Sequence, residues 1–406
     1  MNNIKIKYYY FFRGSLKTHL HLYEGWVKIA NEYGIPLELI TFIKLKRWFE
    51  QKELISDFKK KDHLKIYFGG FVFIETIFIF IFFMWQILKN QKTIVLLKKR
   101  SYKHFISLKK IFKEKIKIII ELEGDNEAEI EYLKKHPYKL GFYDSYIKKS
   151  IRANKNLEKA LLYFDKIIVL SPYHKQLLEN KYEIDGLNKK IEVFSTGVDV
   201  ENFYFSEDLR EKTRKELNLG SKYTLIYAGN AFYSWQNVFR TIEIFKLIKD
   251  NVNNNALMIL LIRAEDHYIV NEFLELLNLS DADYILSSVP SDMINKYFNA
   301  ADLGIILRHN HLMNEVSSPG KIHEYIASGL PVLMTKGISN FDEKLKGNNF
   351  ISIIDDMDDN EEVIEKIKEI MNISVHDRQK IHDWAYHNIS TKSFGDKYSE
   401  MFVELV

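Results

Sequence analysis

The apolar residues of this chain recur in short runs that alternate with longer stretches of helical spacing, and this alternation most constrains its fold. Each run has the length of a buried strand, and the stretches between runs have the apolar spacing of amphipathic helices. Residue periodicity alone therefore predicts an α/β protein with parallel sheets covered by helices. The predicted strands span residues 4–12, 36–43, 64–68, 93–97, 117–122, 166–170 and 191–194, and then 223–228, 258–262, 284–286, 305–307 and 331–334.

Length and charge narrow the class of protein further. A chain of 406 residues is long for one domain and suits two domains of roughly 150 to 200 residues each. Residues 1–200 carry 37 Lys and Arg against 23 Asp and Glu, a balance of +14, whereas residues 201–406 have a balance of −11. The basic half can face anionic lipid or an anionic substrate, or its lysines can simply be solvated. Nucleic acid is the least favoured partner, because no aromatic platforms are interleaved with the basic residues.

The absence of cysteine excludes disulfides and thiolate metal sites. The first 14 residues have the pattern of a strand and lack the small-residue cleavage site of a signal peptide. We therefore expect a cytoplasmic protein.

Residues 71–88 form the most apolar stretch, with the sequence IFIFIFFM at its centre. The stretch has about the minimum length of a membrane span, but Glu75 within it would cost about 2.5 to 3.5 kcal/mol at a bilayer centre. A buried or interface helix is the first interpretation, a helix resting on a membrane surface the second and a true span the last. The basic residues that follow are Lys89, Lys92, Lys98, Lys99 and Arg100.

The stretch 317–335 carries the clearest sign of a binding site. Ser318 suits an N-cap, Pro319 the first helical position and Gly329 the residue after a C-terminus, so we predict a helix over 319–328 and a buried strand over 331–334. The first turn of such a helix can hold a phosphate or diphosphate. Glu324, about one and a half turns later, can accept hydrogen bonds from two neighbouring ribose hydroxyls. The alternative, a solvated glutamate on an ordinary surface helix, is equally compatible with the residue types.

The run SSPGKIHEYIASGLPV, residues 317–332, resembles the donor-site segment of the GT-B glycosyltransferases, in particular the retaining enzymes of family 4. The resemblance implies that Glu324 holds the donor ribose and that Ser318, Pro319, Gly320 and Lys321 surround the diphosphate. The family's first glutamate, which contacts the transferred sugar, lies eight positions earlier. This chain has Val316 there, and Glu315, Ser317 and Lys321 are the candidates to replace it.

The resemblance extends to other loops. GVDVENF, residues 197–203, resembles the turn that closes the first domain of these enzymes, and the single Gly14 stands in a turn that is often richer in glycine. The acidic loop with Glu123 and Asp125 corresponds to a loop near the transferred sugar, although a solvated turn before the next helix explains it equally well. The loop at Asn230 precedes Gln236, where the family usually has a basic residue for the diphosphate. The replacements considered are Arg240, Arg263, Arg308 and Lys321, and Ser288 and Val289 are the candidate contacts to the base.

The implied fold is GT-B, with two facing doubly wound domains at 1–203 and 204–385 and a closing helix at 386–406 that crosses back to the first domain. The reaction that the resemblance implies is transfer of a hexose-type sugar from a nucleotide diphosphate donor, UDP-sugar before GDP-sugar, to a hydroxyl of a saccharide or lipid-linked acceptor, with retention of configuration.

No cofactor or metal is expected, although His309, His311 and His323 are close in sequence. Cell-surface polysaccharide or glycolipid assembly at the inner face of a membrane is the family's usual setting. A non-catalytic nucleotide-sugar-binding subunit and a GT-B epimerase remain the alternatives.

Overall fold

The computed structural model describes residues 5–12, 16–58, 60–70, 74–98, 102–136, 147–148, 151 and 157–406. Gly14, predicted to line the donor site, lies outside the described residues. Within them the chain forms two separate sheets, in which every strand pairing is parallel. The predicted α/β class with two doubly wound sheets is confirmed.

The first sheet has seven strands in the order β3-β2-β1-β4-β5-β6-β7. The order reverses between β1 and β4, and ligands of open α/β sheets bind at the carboxyl ends of strands beside such a point. Its strands are β1 (Ile6–Phe11), β2 (Leu37–Lys44), β3 (Leu64–Gly70), β4 (Lys92–Lys98), β5 (Ile116–Leu122), β6 (Lys166–Val169) and β7 (Ile191–Val193).

The second sheet has six strands in the order β10-β9-β8-β11-β12-β13, and its order reverses between β8 and β11. The central strands are buried along their whole length because helices cover both faces, which explains their near-continuous apolar sequences. The strands are β8 (Tyr223–Gly229), β9 (Ala256–Ile262), β10 (Tyr284–Ser287), β11 (Leu303–Ile306), β12 (Val332–Thr335) and β13 (Ile351–Ile354).

The helices cover the faces of both sheets. Those of the first half are α1 (Leu16–Glu32), α2 (Leu45–Glu50), α3 (Lys52–Phe58), α4 (Ile74–Lys89), α5 (Tyr102–Phe112), α6 (Asn126–Lys135), α7 (Pro172–Lys181) and α8 (Leu187–Lys190). Those of the second half are α9 (Glu207–Glu216), α10 (Val238–Asn251), α11 (His267–Leu276), α12 (Ile294–Ala300), α13 (Leu312–Glu315), α14 (Gly320–Ala327), α15 (Phe341–Lys344), α16 (Asn360–Ile370), α17 (Arg378–Asn388) and α18 (Gly395–Val403).

The end of the chain returns to the first sheet. Helix α17 packs on α14 of the second half, and the chain then pairs at Ser390 with Val198. Helix α18 packs on α1, with the Phe402 ring 5.9 Å from the Tyr8 ring on β1. The Lys166 ammonium lies 2.6 Å from the Glu404 carboxylate, so the last residues are fixed to the first sheet by charge as well as by packing.

Helix α4 is the apolar segment predicted at 71–88, and one of its faces is buried. Ile79, Phe83 and Ile87 point into the core of the first sheet, and Glu75 is also buried, 3.6 Å from the Lys44 ammonium. The opposite face is exposed although it is apolar, and its large side chains are Ile74, Ile77, Phe78, Ile81, Trp85 and Leu88, each 40–60% exposed. Of the helices within the described residues, none is long and apolar enough to cross a membrane.

Candidate active site

Helix α14 begins at the carboxyl edge of the second sheet, and its first turn is tied to the first domain. Pro319 occupies the N-cap position and no side chain caps the helix, so the predicted N-cap role of Ser318 is wrong. The Ser318 hydroxyl instead accepts a hydrogen bond from Thr196 N at 3.3 Å, and the Ser318 carbonyl accepts one from the Thr196 hydroxyl at 2.6 Å. The helix start therefore faces the loop that follows β7.

The buried side of α14 anchors the helix to the second sheet. The Tyr325 ring fills the space above Gly304 on β11, where an added Cβ would lie 2.7 Å from the ring. The Tyr325 hydroxyl accepts a hydrogen bond from Ala228 N at 3.1 Å, at the end of β8. The helix ends as predicted, with Gly329 at a φ of 67° just beyond its last turn. The strand that follows is Val332–Thr335, one residue later than predicted.

Lys321 and Glu324 lie on the opposite, half-exposed side of α14. A Cβ added to Gly320 would be 3.8 Å from Glu324 Oε1 and 3.7 Å from Thr196 Cγ2, so the carboxylate turns back toward the helix start and the first domain. Neither Lys321 nor Glu324 has a side-chain hydrogen bond or ion pair to any residue that the structure describes. Both charged side chains are therefore half-exposed and unpaired among the described residues.

Two predicted sugar contacts lie just before α14. Glu315 is the last residue of α13 and half-buried, and burial, with the nearby Asp342 charge, raises the pKa of its carboxyl group. The Ser317 hydroxyl donates to the carbonyl of Asn314 at 2.9 Å, which closes the turn between α13 and α14.

Arg308, predicted as a diphosphate contact, lies inside the second domain. Its side chain is buried and donates to the carbonyl of Trp235 at 2.6 Å and to Gln236 Oε1 at 2.9 Å. Burial also lowers the pKa of its guanidinium. The geometry therefore assigns Arg308 to holding the loop after β8, the same loop in which Gln236 replaces the family's basic residue.

The remaining donor-site candidates line the carboxyl edge of the second sheet. Asn230 is buried and its Oδ1 accepts from Phe232 N at 2.7 Å, which forms a turn after β8. Arg263 follows β9 with its side chain 52% exposed, 3.2 Å from Glu265. Ser288 is exposed and Val289 half-buried after the edge strand β10.

Asp125, predicted near the transferred sugar, is the N-cap of α6. It is buried, and its Oδ1 accepts from Glu127 N at 2.8 Å and from Ala128 N at 2.9 Å. These bonds account for one carboxylate oxygen, and the Lys181 ammonium lies 3.5 Å from the other. Asp125 therefore caps α6, and its contact with the transferred sugar stays a prediction.

A polar cluster that the sequence did not reveal lies at the carboxyl edge of the first sheet. The Lys98 ammonium, at the end of β4, is 2.6 Å from Glu121 Oε1 and 2.8 Å from Glu123 Oε1. The Tyr10 hydroxyl donates to the other oxygen of Glu121 at 2.9 Å. These groups come from three strands, so no spacing in the sequence could have grouped them.

A second cluster missed from the sequence joins the two domains. The Tyr132 hydroxyl of α6 lies 2.7 Å from His309 Nδ1, and the rings of His136 and His309 stack with centroids 4.4 Å apart. Burial lowers the pKa of both histidines, so they are biased toward the neutral form. Three histidines were noted in the sequence. His309 belongs to this cluster and His311 contacts the Tyr132 ring, whereas His323 is buried elsewhere. Among the described residues, no group of three His, Asp or Glu side chains is placed to hold a metal ion.

Comparison with known proteins finds a family match in the second half of the chain. Residues 209–387 match the model of the family described as glycosyl transferases group 1. No curated protein matches the chain in sequence.

Solved structures match over nearly the whole chain. Sucrose-phosphate synthase from Thermosynechococcus elongatus is 11% identical, with a TM-score of 0.71 over 98% of this chain and 99% of that chain. HepE from Anabaena, in complex with UDP and glucose, is 11% identical, with a TM-score of 0.67 over 99% and 100%. A glycosyltransferase from Rickettsia africae is 18% identical, with a TM-score of 0.66 over 98% of each. The chain has the GT-B fold, and the predicted resemblance to GT-B glycosyltransferases is confirmed, whereas the resemblance to the retaining enzymes of family 4 stays a prediction.

Proposed function

From a GT-B fold whose second half matches the group 1 glycosyl transferases, we propose that this chain transfers a hexose-type sugar from a nucleotide diphosphate donor to a hydroxyl acceptor, with retention of configuration. The observation that carries the proposal is the start of α14. Its Lys321 and Glu324 side chains are half-exposed and have no side-chain partner among the described residues, and the Glu324 carboxylate turns back toward the helix start. The buried side of the helix is anchored on β8 and β11.

Each group at this helix start has a chemical task. The positive end of the helix dipole and the Lys321 ammonium offset the charge that grows on the departing diphosphate. The Glu324 carboxylate would repel a phosphate, so it does not suit the diphosphate itself. It suits the neutral ribose, from which it accepts hydrogen bonds from two hydroxyls. The departing phosphate can itself take the acceptor proton. UDP-sugar is the donor we favour, as in the complexes of HepE with UDP and UDP-glucose.

A nucleotide panel tests the donor site. Thermal unfolding is measured with UDP, GDP, ADP, TDP and CMP for the wild type, for Glu324→Ala and for a control, Glu272→Ala, at an exposed position of α11. Ligand at a hundred times its Kd adds about 2.7 kcal/mol of stability. We expect UDP to stabilise the wild type and the control, and Glu324→Ala to lose about 1.5 to 3 kcal/mol of binding free energy. Equal UDP affinity in all three proteins would remove Glu324 from the ribose role.

Turnover separates the enzyme from its alternatives. A transferase releases UDP from UDP-sugar at a rate that rises with acceptor, whereas an epimerase needs no acceptor. Donor binding without any turnover would favour a non-catalytic nucleotide-sugar-binding subunit.

We also propose that the enzyme works at an anionic membrane surface, where a lipid-linked acceptor would lie. The support is the exposed apolar face of α4, because a helix that is apolar on its solvent side suits the boundary of a bilayer. Lys89 ends this helix with its ammonium 4.6 Å from the Trp85 ring, and the adjacent helix α5 exposes Lys103 and Lys110. Basic groups beside an apolar face complement anionic lipid better than they complement a second copy of the same basic surface.

Vesicle binding tests this surface. We expect sedimentation with phosphatidylglycerol vesicles at low salt, weaker sedimentation with phosphatidylcholine, and loss of binding in Ile81→Glu. The control is Leu276→Glu, at a position of α11 that is 72% exposed and distant in the chain. Failure of the wild type to sediment with anionic vesicles, or equal loss in the control, would refute the proposed surface.

A further inference from the structure

A cavity of about 420 Å³ opens at the amino edge of the second sheet, at the other end of the strands from the start of α14. Its wall includes Tyr223, the first residue of β8, together with Asp302 and Pro331, which directly precede β11 and β12. Pockets that hold small ligands usually have volumes of about 300 to 1,000 Å³, so this cavity is large enough for a small molecule. It is separate from the proposed donor site.

The cavity has a surplus of positive charge. Arg210 and Arg214 of α9 and Arg378 of α17 line it, and Asp302 is the one carboxylate among its lining residues. Arg210 lies 2.5 Å from one oxygen of Asp302 and Arg214 lies 3.3 Å from the other. Lys222 adds a fourth cation, and its ammonium donates to a loop carbonyl. This basic site stands out because residues 201–406 have a balance of −11.

Backbone carbonyls at two helix ends offset part of the surplus. Arg378 donates to the carbonyls of Phe298 in α12 and of Gly329 just beyond α14, and Arg210 donates to the Ala301 carbonyl. Each helix C-terminus has about half a negative charge, so the two ends together offset about one positive charge. Four cations against one carboxylate and these two ends leave a surplus of about two positive charges. Burial and the neighbouring Arg210 charge accordingly lower the pKa of Arg378 to about 9.

Two hydrogen-bond donors at the cavity wall have no acceptor among the described residues. Tyr223 is half-buried, and its hydroxyl is open to the cavity rather than sealed in the core. Burial raises the pKa of Tyr223, and the charges of Asp302, Arg378 and Arg210 act on the same hydroxyl, which therefore lies among them. The second donor is the Nε–H of Arg214, because its other nitrogens make all of its hydrogen bonds to described groups. Both donors can serve an anion.

The rest of the wall is largely apolar. Met371, Ile373 and Val375, from the connection between α16 and α17, line the cavity together with Pro331. Small-molecule sites typically combine such apolar surface with a few placed polar groups. The apolar surface favours an anion that has an organic body over a bare inorganic ion.

We propose that this cavity binds a phosphate monoester with a compact organic body. A phosphate monoester has a charge of about −1.5 to −2 at pH 7, which matches the surplus of the site. Its oxygens accept from the Tyr223 hydroxyl and from Arg214 Nε, and its body packs on Met371 and Ile373. The cavity lies at the opposite edge of the sheet from the start of α14, so the inference goes beyond the proposed transferase function and does not depend on it.

Isothermal titration calorimetry with three probes tests the site. The probes are phenyl phosphate, inorganic phosphate and phenol, and each is titrated with and without saturating UDP, so that a diphosphate site at α14 cannot account for the binding. We expect phenyl phosphate to bind the wild type in both conditions, inorganic phosphate to bind more weakly and phenol not to bind. Binding of phenol as tight as that of phenyl phosphate would overturn the anion site, and equal binding of the two phosphates would overturn the organic body.

Two variants with matched controls locate the binding. Tyr223→Phe removes the unpaired hydroxyl, and Ser221→Glu places a competing carboxylate at an exposed position of the cavity wall. The controls are Tyr268→Phe and Asn271→Glu, at exposed positions of α11. We expect phenyl phosphate to bind Tyr223→Phe about 10-fold more weakly than the wild type, the effect of one hydrogen bond to a charged group. Ser221→Glu should weaken binding about 5-fold, the effect of one like charge at about 4 Å in water.

Stability and UDP binding distinguish the outcomes. Both cavity variants should keep the melting temperature of the unliganded wild type, because the Tyr223 hydroxyl has no described partner and Ser221 is exposed. Absence of phenyl phosphate binding in saturating UDP, or equal affinity in the cavity variants and the controls, would overturn the phosphate site. Absence of UDP binding would instead overturn the proposed function and leave the phosphate site to the titrations without UDP.

Discussion

His323 lies on the buried side of α14, opposite Lys321 and Glu324. Its burial leads us to predict that the protein loses stability in acid. The ring is fully buried, edge-on to Phe341 with centroids 4.9 Å apart. Neither nitrogen makes a hydrogen bond of ordinary geometry to a described residue, although the Pro319 carbonyl partly offsets the lowering of the ring's pKa. Burial, together with the nearby Lys344 charge, lowers the pKa of His323 from 6.5 to about 3. The folded protein therefore keeps this ring neutral over a pH range in which the unfolded chain protonates it.

The sign and size of the effect follow from linkage. Above pH 6.5 the ring is neutral in both states, so it adds no pH dependence. As the pH falls from 6.5 toward 3, the unfolded state binds the extra proton and folding stability decreases, by up to 1.36 kcal/mol per pH unit. Integrated between pH 6.5 and pH 4.5, the loss attributable to His323 is about 2 kcal/mol.

The perturbation is His323→Leu, which replaces the unpaired ring with an apolar side chain. At pH 7.5 the variant should be as stable as the wild type or slightly more stable, because no hydrogen bond of ordinary geometry to a described group is lost. Urea unfolding followed by tryptophan fluorescence at pH 7.5, 6.5, 5.5 and 4.5 should show a shallower loss of stability for the variant. His376→Leu, at an exposed site, serves as the control and should follow the wild type. Parallel pH profiles for wild type and His323→Leu would refute the reasoning.

Three further substitutions test other parts of the structure. Asp125→Ala removes the N-cap of α6 and should cost about 0.5 to 2 kcal/mol by urea unfolding, while the UDP thermal shift stays unchanged; a lost shift would return this residue to the donor site. Gly329→Ala places a Cβ 2.5 Å from the Arg378 carbonyl oxygen at a φ of 67°. It should lower the free energy of unfolding by more than the roughly 1 kcal/mol of an ordinary glycine replacement, and an unchanged melting temperature would contradict this. Tyr132→Phe removes the bond to His309 and should cost about 0.5 to 1.5 kcal/mol; no loss of stability would show that this interdomain bond contributes nothing.

The fold was predictable because its signals are local. Short apolar runs identify twelve of the thirteen strands within the described residues, with bounds that differ from the predicted ones by a few residues, whereas β13 was not predicted. Gly329 was predicted correctly as the residue after α14, since a left-handed φ strongly favours glycine whatever the surroundings. The half-exposed position of Glu324 also follows from helical spacing, because the neighbouring buried residues occupy the other face.

The parts that could not be predicted depend on long-range contacts. Ser318 is an excellent N-cap residue by type, but Thr196, 122 positions earlier, competes for its hydroxyl. Arg308 was expected at the diphosphate, yet the loop after β8 supplies carbonyl and amide oxygens that hold it inside. Tyr398 and Lys98 meet in one cavity although they lie in the last helix and the fourth strand. Contacts between residues so far apart in the chain cannot be predicted from their spacing in the sequence.

The return of the chain end to the first sheet has a consequence for biosynthesis. Tyr398 and Phe402 complete the same core as Tyr8 of the first strand, and Lys92 at the start of β4 donates to the Leu405 carbonyl at 3.3 Å. On a ribosome that adds about 5 to 20 residues per second, the strands of the first sheet emerge well before the helix that covers them. Part of the core of the first domain therefore stays uncovered until the second domain and α18 have been synthesised. A nascent chain truncated before α18 would therefore leave part of that core exposed to solvent.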